Sequence, residues 1–115
     1  MVKVVHCFTA VDMRMGHTGL EAYAKTRKVH LNAMDEETAC IFISRNRCRM
    51  KAYSYNGVVS YMRAPSESRP FDLNAIDEFP RAFDKNGKMD YSRALKMSLE
   101  KMMALKGYLP EKSLG

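Results

Sequence analysis

Residues 41–63 constrain the fold more than any other part of the chain. They read IFISRNRCRMKAYSYNGVVSYMR, in which apolar segments are separated by two polar or glycine-containing breaks. Asn56-Gly57 predicts a two-residue β-hairpin turn, because a type I′ turn requires positive φ at both of its central positions. We therefore expect strands at residues 38–44, 49–55 and 58–62.

Cationic residues alternate along the same stretch, at Arg45, Arg47, Arg49 and Lys51. If residues 45–51 are extended, these cations share one face, because alternate side chains of a strand point in the same direction. A cationic face without acidic residues suits a polyanion, of which nucleic acid is the commonest. Two alternatives stay open: residues 45–47 form a loop that breaks the alignment, or the charges only protect an edge strand from aggregation.

Length and composition predict one domain over residues 1–107 and a loosely ordered C-terminal tail over residues 108–115. The predicted fold is α+β: a small, mainly antiparallel sheet of four to five strands with helices packed on one face. The net charge of +6 favours an anionic partner. No apolar run reaches the ~20 residues of a membrane span and no secretory signal is recognisable, which predicts a cytoplasmic protein without a membrane partner.

The N-terminal third predicts one strand and one helix. VKVVHCF at residues 2–8 is typical of a short buried strand, which we expect to join the hairpin strands. Asp12 predicts the N-cap of a helix over residues 13–27 that covers the sheet. The alternative is a loop at residues 14–18 before the helix, because Gly16 and Gly19 weaken a helix there.

The C-terminal half predicts two helices separated by a turn. Asp72 is a candidate N-cap for a helix that is short or kinked because of Pro80. Residues 84–87, DKNG, predict a turn. Asp90 or Ser92 then begins a final helix that ends at about residue 106, with Gly107 as its stop signal.

No combination of residue types predicts an enzyme. The three cysteines and three histidines lack the spacing of a zinc site, and neither a metal nor another cofactor is expected. Cys48 lies between two arginines, which predicts some thiol reactivity, but no base or oxyanion donor can be identified for covalent catalysis. The carboxylates stand mostly at predicted caps and turns, unlike the convergent set that a two-metal nuclease needs.

Three segments resemble a known family, the accessory TnpB proteins encoded by the second open reading frame of insertion-sequence-66 transposable elements. The segments are VDMRMG at 11–16 with GL at 19–20, IFISRNR at 41–47 with RMK at 49–51, and YNGVV at 55–59 ending in YMR at 61–63. The resemblance covers about residues 4–71. It departs at Met15, where the family has lysine, in a basic turn about one residue shorter, and in the segment that follows Met62; the C-terminal helix has no counterpart.

The resemblance implies a cytoplasmic helper of transposition, while a separate acidic-triad transposase performs strand transfer; that the helper is not itself an enzyme follows from the residues. From the residues we add the hypothesis that the chain binds DNA with little sequence specificity, through phosphate contacts. Tyr53, Tyr55 and Tyr61 are interleaved with the cations and can stack on bases, although tyrosine is also a common strand residue. The candidate contacts are Arg14, Arg45, Arg47, Arg49, Lys51 and Arg63.

Two alternatives remain at this stage. The chain can be a protein-interaction module that docks on the transposase, or that forms homo-oligomers through a methionine-rich C-terminal helix. The methionines concerned are Met89, Met97, Met102 and Met103. Alternatively, the altered segment after Met62 marks a degenerate remnant that folds without activity. Arg14 has an alternative of its own, an ion pair with Asp12 in place of a phosphate contact.

Overall fold

The computed structural model describes residues 1–105, apart from the side chains of Tyr91, Ser98, Met102 and Leu105. The predicted tail and the stop at Gly107 lie outside this range. The strands are β1 Val4–Phe8, β2 Thr38–Ile43, β3 Arg49–Ser54 and β4 Val59–Arg63. The α-helices are α1 His17–Thr26 and α2 Tyr91–Leu105, and the 3₁₀ helices are Leu31–Ala33 and Leu73–Ala82.

The strands form one sheet in the order β1-β2-β3-β4. The two pairs β2–β3 and β3–β4 are antiparallel, whereas β1 pairs with β2 in parallel. This confirms the predicted α+β fold with a mainly antiparallel sheet. The N-terminal strand joins the sheet beside β2, and the connection between these parallel strands contains α1, as such crossovers usually do.

Helical elements lie on both faces of the sheet, so the prediction that helices pack on one face was wrong. On the first face, Cys40, Phe42 and Tyr53 pack against Leu20 and Ala24 of α1. We call this the α1 face. Helices are needed on both faces because β2, with the sequence TACIFI, has apolar side chains on both of its sides.

The opposite face forms a second cluster with the C-terminal elements. Ile41, Met50 and Ala52 of the sheet belong to the same cluster as Phe71 and Phe79. Ala94 and Met97 of α2 complete this layer, and all of these side chains are buried. Among the described residues, no helix has the length and apolar character needed to cross a bilayer.

Asp12 does not cap α1, contrary to the prediction. The helix begins at His17 with Gly16 at the N-cap position, and the segment before it is a loop, which was the alternative. Asp12 Oδ1 instead accepts the Arg14 backbone N–H at 2.9 Å, because a local turn competes for the carboxylate.

The caps predicted for the C-terminal helices are confirmed. Asp72 accepts the N–H of Asn74 at 2.9 Å, and Asp90 accepts the N–H of Arg93 at 3.1 Å. The first of these helices does not stop at Pro80 but continues to Ala82 as a 3₁₀ helix. Burial of its apolar side chains against the sheet outweighs the local preference of the proline.

The β3–β4 connection is a three-residue turn, not the predicted two-residue type I′ turn. Gly57 has φ 79°, but Asn56 is not among the residues with positive φ. The Gly57 N–H donates to Ser54 O at 3.1 Å and the Ser54 N–H to Val58 O at 3.0 Å. This is the pattern of a type I turn closed by a left-handed glycine.

The turn at residues 84–87 supports this hairpin from the side. Asn56 Nδ2 donates to Asn86 O at 2.9 Å, so the two turns are in direct contact. Gly87 has φ 83°, and a Cβ there would lie 2.6 Å from Ser54 Oγ. The close packing of the two turns therefore requires glycine at this position.

Gly87→Ala should destabilise the protein much more than Gly57→Ala. Both changes force alanine into a left-handed conformation, which costs about 1 kcal/mol. Position 57 has open space around it, while position 87 adds the collision with Ser54. We expect a loss in free energy of unfolding of about 1 kcal/mol for Gly57→Ala and about 2–4 kcal/mol for Gly87→Ala by urea denaturation. Equal losses would contradict the packing of the two turns.

Candidate nucleic-acid interface

The predicted binding residues converge on one end of the sheet. Strands β1, β2 and β4 finish at this end and β3 begins there, because β1 is parallel to β2 and the next two strands alternate in direction. The loop after β1 reaches the same end, where the Val11 N–H donates to Ile43 O at 3.0 Å. We call this the basic end. It carries Arg14, Arg45, Arg47, Arg49, Lys51 and Arg63.

Arg49 and Arg63 lie directly opposite each other in the β3–β4 pair. Both side chains are exposed and point to the α1 face of the sheet. Helix α1 covers part of β2 and β3 on this face but leaves the two arginines exposed. Like charges placed directly opposite each other in a sheet are destabilising. None of the four strands contains an aspartate or a glutamate.

Arg45 and Arg47 lie in the β2–β3 turn and not in a strand, so the alignment of the cations along one extended strand was wrong. The loop alternative is the one that the structure adopts. The Ser44 N–H donates to Arg49 O at 3.0 Å and the Arg47 N–H donates to Ser44 O at 2.9 Å, which closes the turn. Asn46 Oδ1 accepts the Cys48 N–H at 3.1 Å, so local side-chain bonds favour the turn over a strand.

The three arginines of this turn and strand lack carboxylate partners. None of the ion pairs or side-chain hydrogen bonds within residues 1–105 involves the guanidinium groups of Arg45, Arg47 or Arg49. Arg45 and Arg49 border an open groove of about 400 Å³ between the turn and the loop that contains Arg14. Their charge is therefore available to an anion from solvent.

Arg47 adopts a left-handed backbone conformation, with φ 61°. A residue with a Cβ pays roughly 1–2 kcal/mol for this conformation, which glycine adopts freely. Arg47 O also accepts the Phe71 N–H at 2.8 Å, which joins the turn to the segment that follows β4. Arg47 is one of three described residues other than glycine that have positive φ, with Ala10 and Lys28.

Arg14 is engaged by Asp12, as the ion-pair alternative predicted. Arg14 Nη2 lies 2.9 Å from Asp12 Oδ2, and Nε donates to Oδ1 at 3.1 Å. Hydrogen bonds from Arg14 lower the pKa of Asp12 to about 2, and the carboxylate in turn raises the pKa of Arg14. An incoming phosphate must therefore compete with Asp12, which makes Arg14 a weaker candidate than the arginines without partners.

Lys51 holds the loop before α1 against the sheet. Its ammonium group donates to the backbone carbonyls of Met15 at 3.1 Å and Met13 at 3.4 Å. Its Nζ also lies 5.7 Å from the ring centroid of Tyr61, its cross-strand partner. Sequence reasoning missed this clamp, because its acceptors are backbone carbonyls that carry no residue signature. Lys51 is thus first a positioning residue for the basic end.

The three tyrosines interleaved with the cations divide into one core residue and two surface residues. Tyr53 is buried, and its ring packs edge-on against Phe42 at 5.6 Å between centroids. Tyr61 is 52% exposed and Tyr55 is 40% exposed. Tyr61 points to the same side of the sheet as Arg49 and Arg63, whereas Tyr55 lies in the turn at the other end.

The cysteines offer no reactive centre. Cys48 is buried, and its thiol lies 3.5 Å from Asn46 O. The thiol that was predicted to be reactive is therefore shielded from solvent. Burial raises the pKa of Cys7 to about 11, and burial followed by the proximity of Cys7 raises that of Cys40 to about 12. Over the described part of the chain, no group of histidine, cysteine and acidic residues is arranged to hold a metal ion.

Comparison of the chain with models of known protein families, with curated proteins and with solved structures finds no match in any of the three. A function for the basic end therefore follows from its own geometry and charge.

The Asp12–Arg14 pair gives a pH signature. We expect the Asp12 carboxyl to titrate at about 2, below its ordinary value of 3.8, in a pH titration followed by NMR. A lowered pKa stabilises the fold above the ordinary value, and this contribution is lost as pH falls from there toward 2. Arg14→Ala should return the midpoint toward its ordinary value, whereas Arg27→Ala, a change at an exposed arginine without contact to Asp12, should not. An unchanged midpoint in Arg14→Ala would exclude the pair in solution.

Two glycine substitutions in the β2–β3 turn separate strain from charge. Arg47→Gly relieves the left-handed conformation and should raise the free energy of unfolding by up to about 1 kcal/mol. Arg45→Gly removes the same charge at a position without positive φ and should lower it by about 0.5 kcal/mol. Urea denaturation of both variants measures the difference. A loss of stability in Arg47→Gly would mean that Arg47 makes a stabilising contact in solution.

Proposed function

We propose that the protein is a non-enzymatic accessory factor of a transposable element, acts in the cytoplasm and binds DNA through its basic end. The arginines of the β2–β3 turn and of the Arg49–Arg63 pair contact backbone phosphates. Such contacts position a protein on DNA and carry little sequence information. The transposition context rests on the resemblance of residues 4–71 to the accessory proteins of insertion-sequence-66 elements.

The observation that carries the DNA-binding part of the proposal is the opposition of Arg49 and Arg63 across β3 and β4. The two side chains stand next to each other on the same face, so one bound polyanion can contact both guanidinium groups. Arg45 and Arg47 in the adjacent turn extend the same positive surface. The alternative, that the charges only protect an edge strand from aggregation, explains less well why the cations come from a turn and two strands.

Protein–protein contact is the second candidate, and one feature of α2 favours it. Leu99 is 49% exposed and borders an apolar groove of about 300 Å³ together with Leu95, Pro65 and Pro70. Such a groove suits an apolar partner such as the transposase or a second copy of the chain. The methionines support it less, because Met89 and Met97 are buried in the core.

A salt titration tests the DNA-binding proposal. For the wild-type protein, log affinity for a labelled random-sequence duplex should fall linearly with log salt concentration in fluorescence anisotropy. The double variant Arg45→Gln/Arg49→Gln should bind more weakly and flatten that slope by roughly one unit per lost phosphate contact.

Lys25→Gln/Lys28→Gln is the matched control. It removes the same net charge at the C-terminal end of α1, whereas the β2–β3 turn lies beside the loop that precedes that helix. It should change the slope less than the arginine variant. Equal slopes for the two double variants would show that only net charge matters and that the basic end is not the binding surface. Absence of binding at low salt would favour the protein-contact candidate, tested by pull-down with the transposase.

A further inference from the structure

The open part of the α1 face combines an exposed aromatic ring with cations on neighbouring strands. Its members share one side of the β3–β4 pair, where Arg49 faces Arg63, Lys51 faces Tyr61, and Val59 completes the row. The β4 strand alternates buried and exposed side chains, which leaves Val59 46% and Tyr61 52% exposed. Phe42 and Tyr53 on this face pack into the core, whereas the ring of Tyr61 is open to solvent.

Tyr61 is held in position from the protein side. Lys51 Nζ lies 5.7 Å from its ring centroid and is itself fixed by its hydrogen bonds to the loop before α1. A ring fixed on a flat sheet loses little conformational freedom when a planar group stacks on it. Alternate residues of a strand lie ~7 Å apart, so Arg63 stands within one nucleotide's reach of Tyr61.

We infer that this face binds an unpaired polynucleotide strand, with a base stacked on Tyr61 and the adjoining phosphates held by Arg49 and Arg63. The inference rests on the proposed function and specifies its ligand. In a duplex, base faces are covered by their neighbours, whereas an unpaired strand offers them to aromatic side chains. A sheet face with an aromatic ring among cations supplies both contacts that such a strand makes.

Acidic residues line the two grooves beside this face. Asp12 lines the groove that Arg49 borders, and its carboxylate is paired with Arg14. Asp84 and Asp90 line a groove at β4 together with Tyr61. Asp84 accepts the N–H groups of Asn86 and Lys88, and Asp90 accepts that of Arg93, so both carboxylates are engaged in a turn or a cap. The strand is therefore expected to follow the face of the sheet and not its edge.

The test compares oligothymidylate, oligouridylate and a DNA duplex of the same length by fluorescence anisotropy at one low salt concentration. The wild-type protein should bind the single strands more tightly than the duplex, and the two oligomers distinguish DNA from RNA as the preferred source. Tyr61→Ala should lose about tenfold in single-strand affinity with little change for the duplex, and Tyr61→Phe should retain it. Circular dichroism checks that each variant folds.

The absence of tryptophan from the chain allows a direct readout of stacking. Tyr61→Trp places a single indole on the face, and its fluorescence should be quenched by oligothymidylate. Leu99→Trp, at a position of similar exposure on α2, is the control and should not respond. Duplex binding equal to single-strand binding, with no effect of Tyr61→Ala and no quenching at position 61, would overturn the inference and leave the proposed function intact. Failure of all three nucleic acids to bind would overturn both.

Discussion

The register of the β3–β4 pair determines which side chains meet on the candidate interface. A three-residue turn ending at Gly57 sets Arg49 opposite Arg63 and Lys51 opposite Tyr61. A two-residue turn would shift one strand by a residue and move every side chain of that strand to the other face. The turn at residues 84–87 packs beside this hairpin and reinforces its register. Both turns lie at the opposite end of the sheet from the arginines.

The layered architecture explains why one face stays open. The crossover helix α1 is short, ten residues, and the cluster around its buried side chains includes residues of β1, β2 and β3 but none of β4. The C-terminal elements bury the opposite face. The C-terminal elements thus cover one face of the sheet, while the side chains of β4 on the α1 face stay exposed beside Arg49.

Much of the fold could be read from local chemistry, and the errors have physical causes. Strand periodicity and the caps Asp72 and Asp90 were sufficient because they depend on near neighbours. The type of the hairpin turn and the second cover of the sheet were predicted wrongly, since turn type depends on strand twist and β2 has no preference for one face. At the site, the sequence identified Arg49 and Arg63 as candidate cations. It could not show that they are cross-strand partners, because this depends on the register of β3 and β4. It could not show the Lys51 clamp either, because the acceptors are backbone carbonyls.

The opposed arginines make salt act on this protein in two directions. Dissolved ions screen the repulsion between Arg49 and Arg63, so added salt should favour the free fold, since exposed charges interact less at a shorter Debye length. The same ions compete with the protein for phosphate groups and weaken a bound complex. A protein built this way is most self-repelling under the conditions in which it binds a polyanion most tightly.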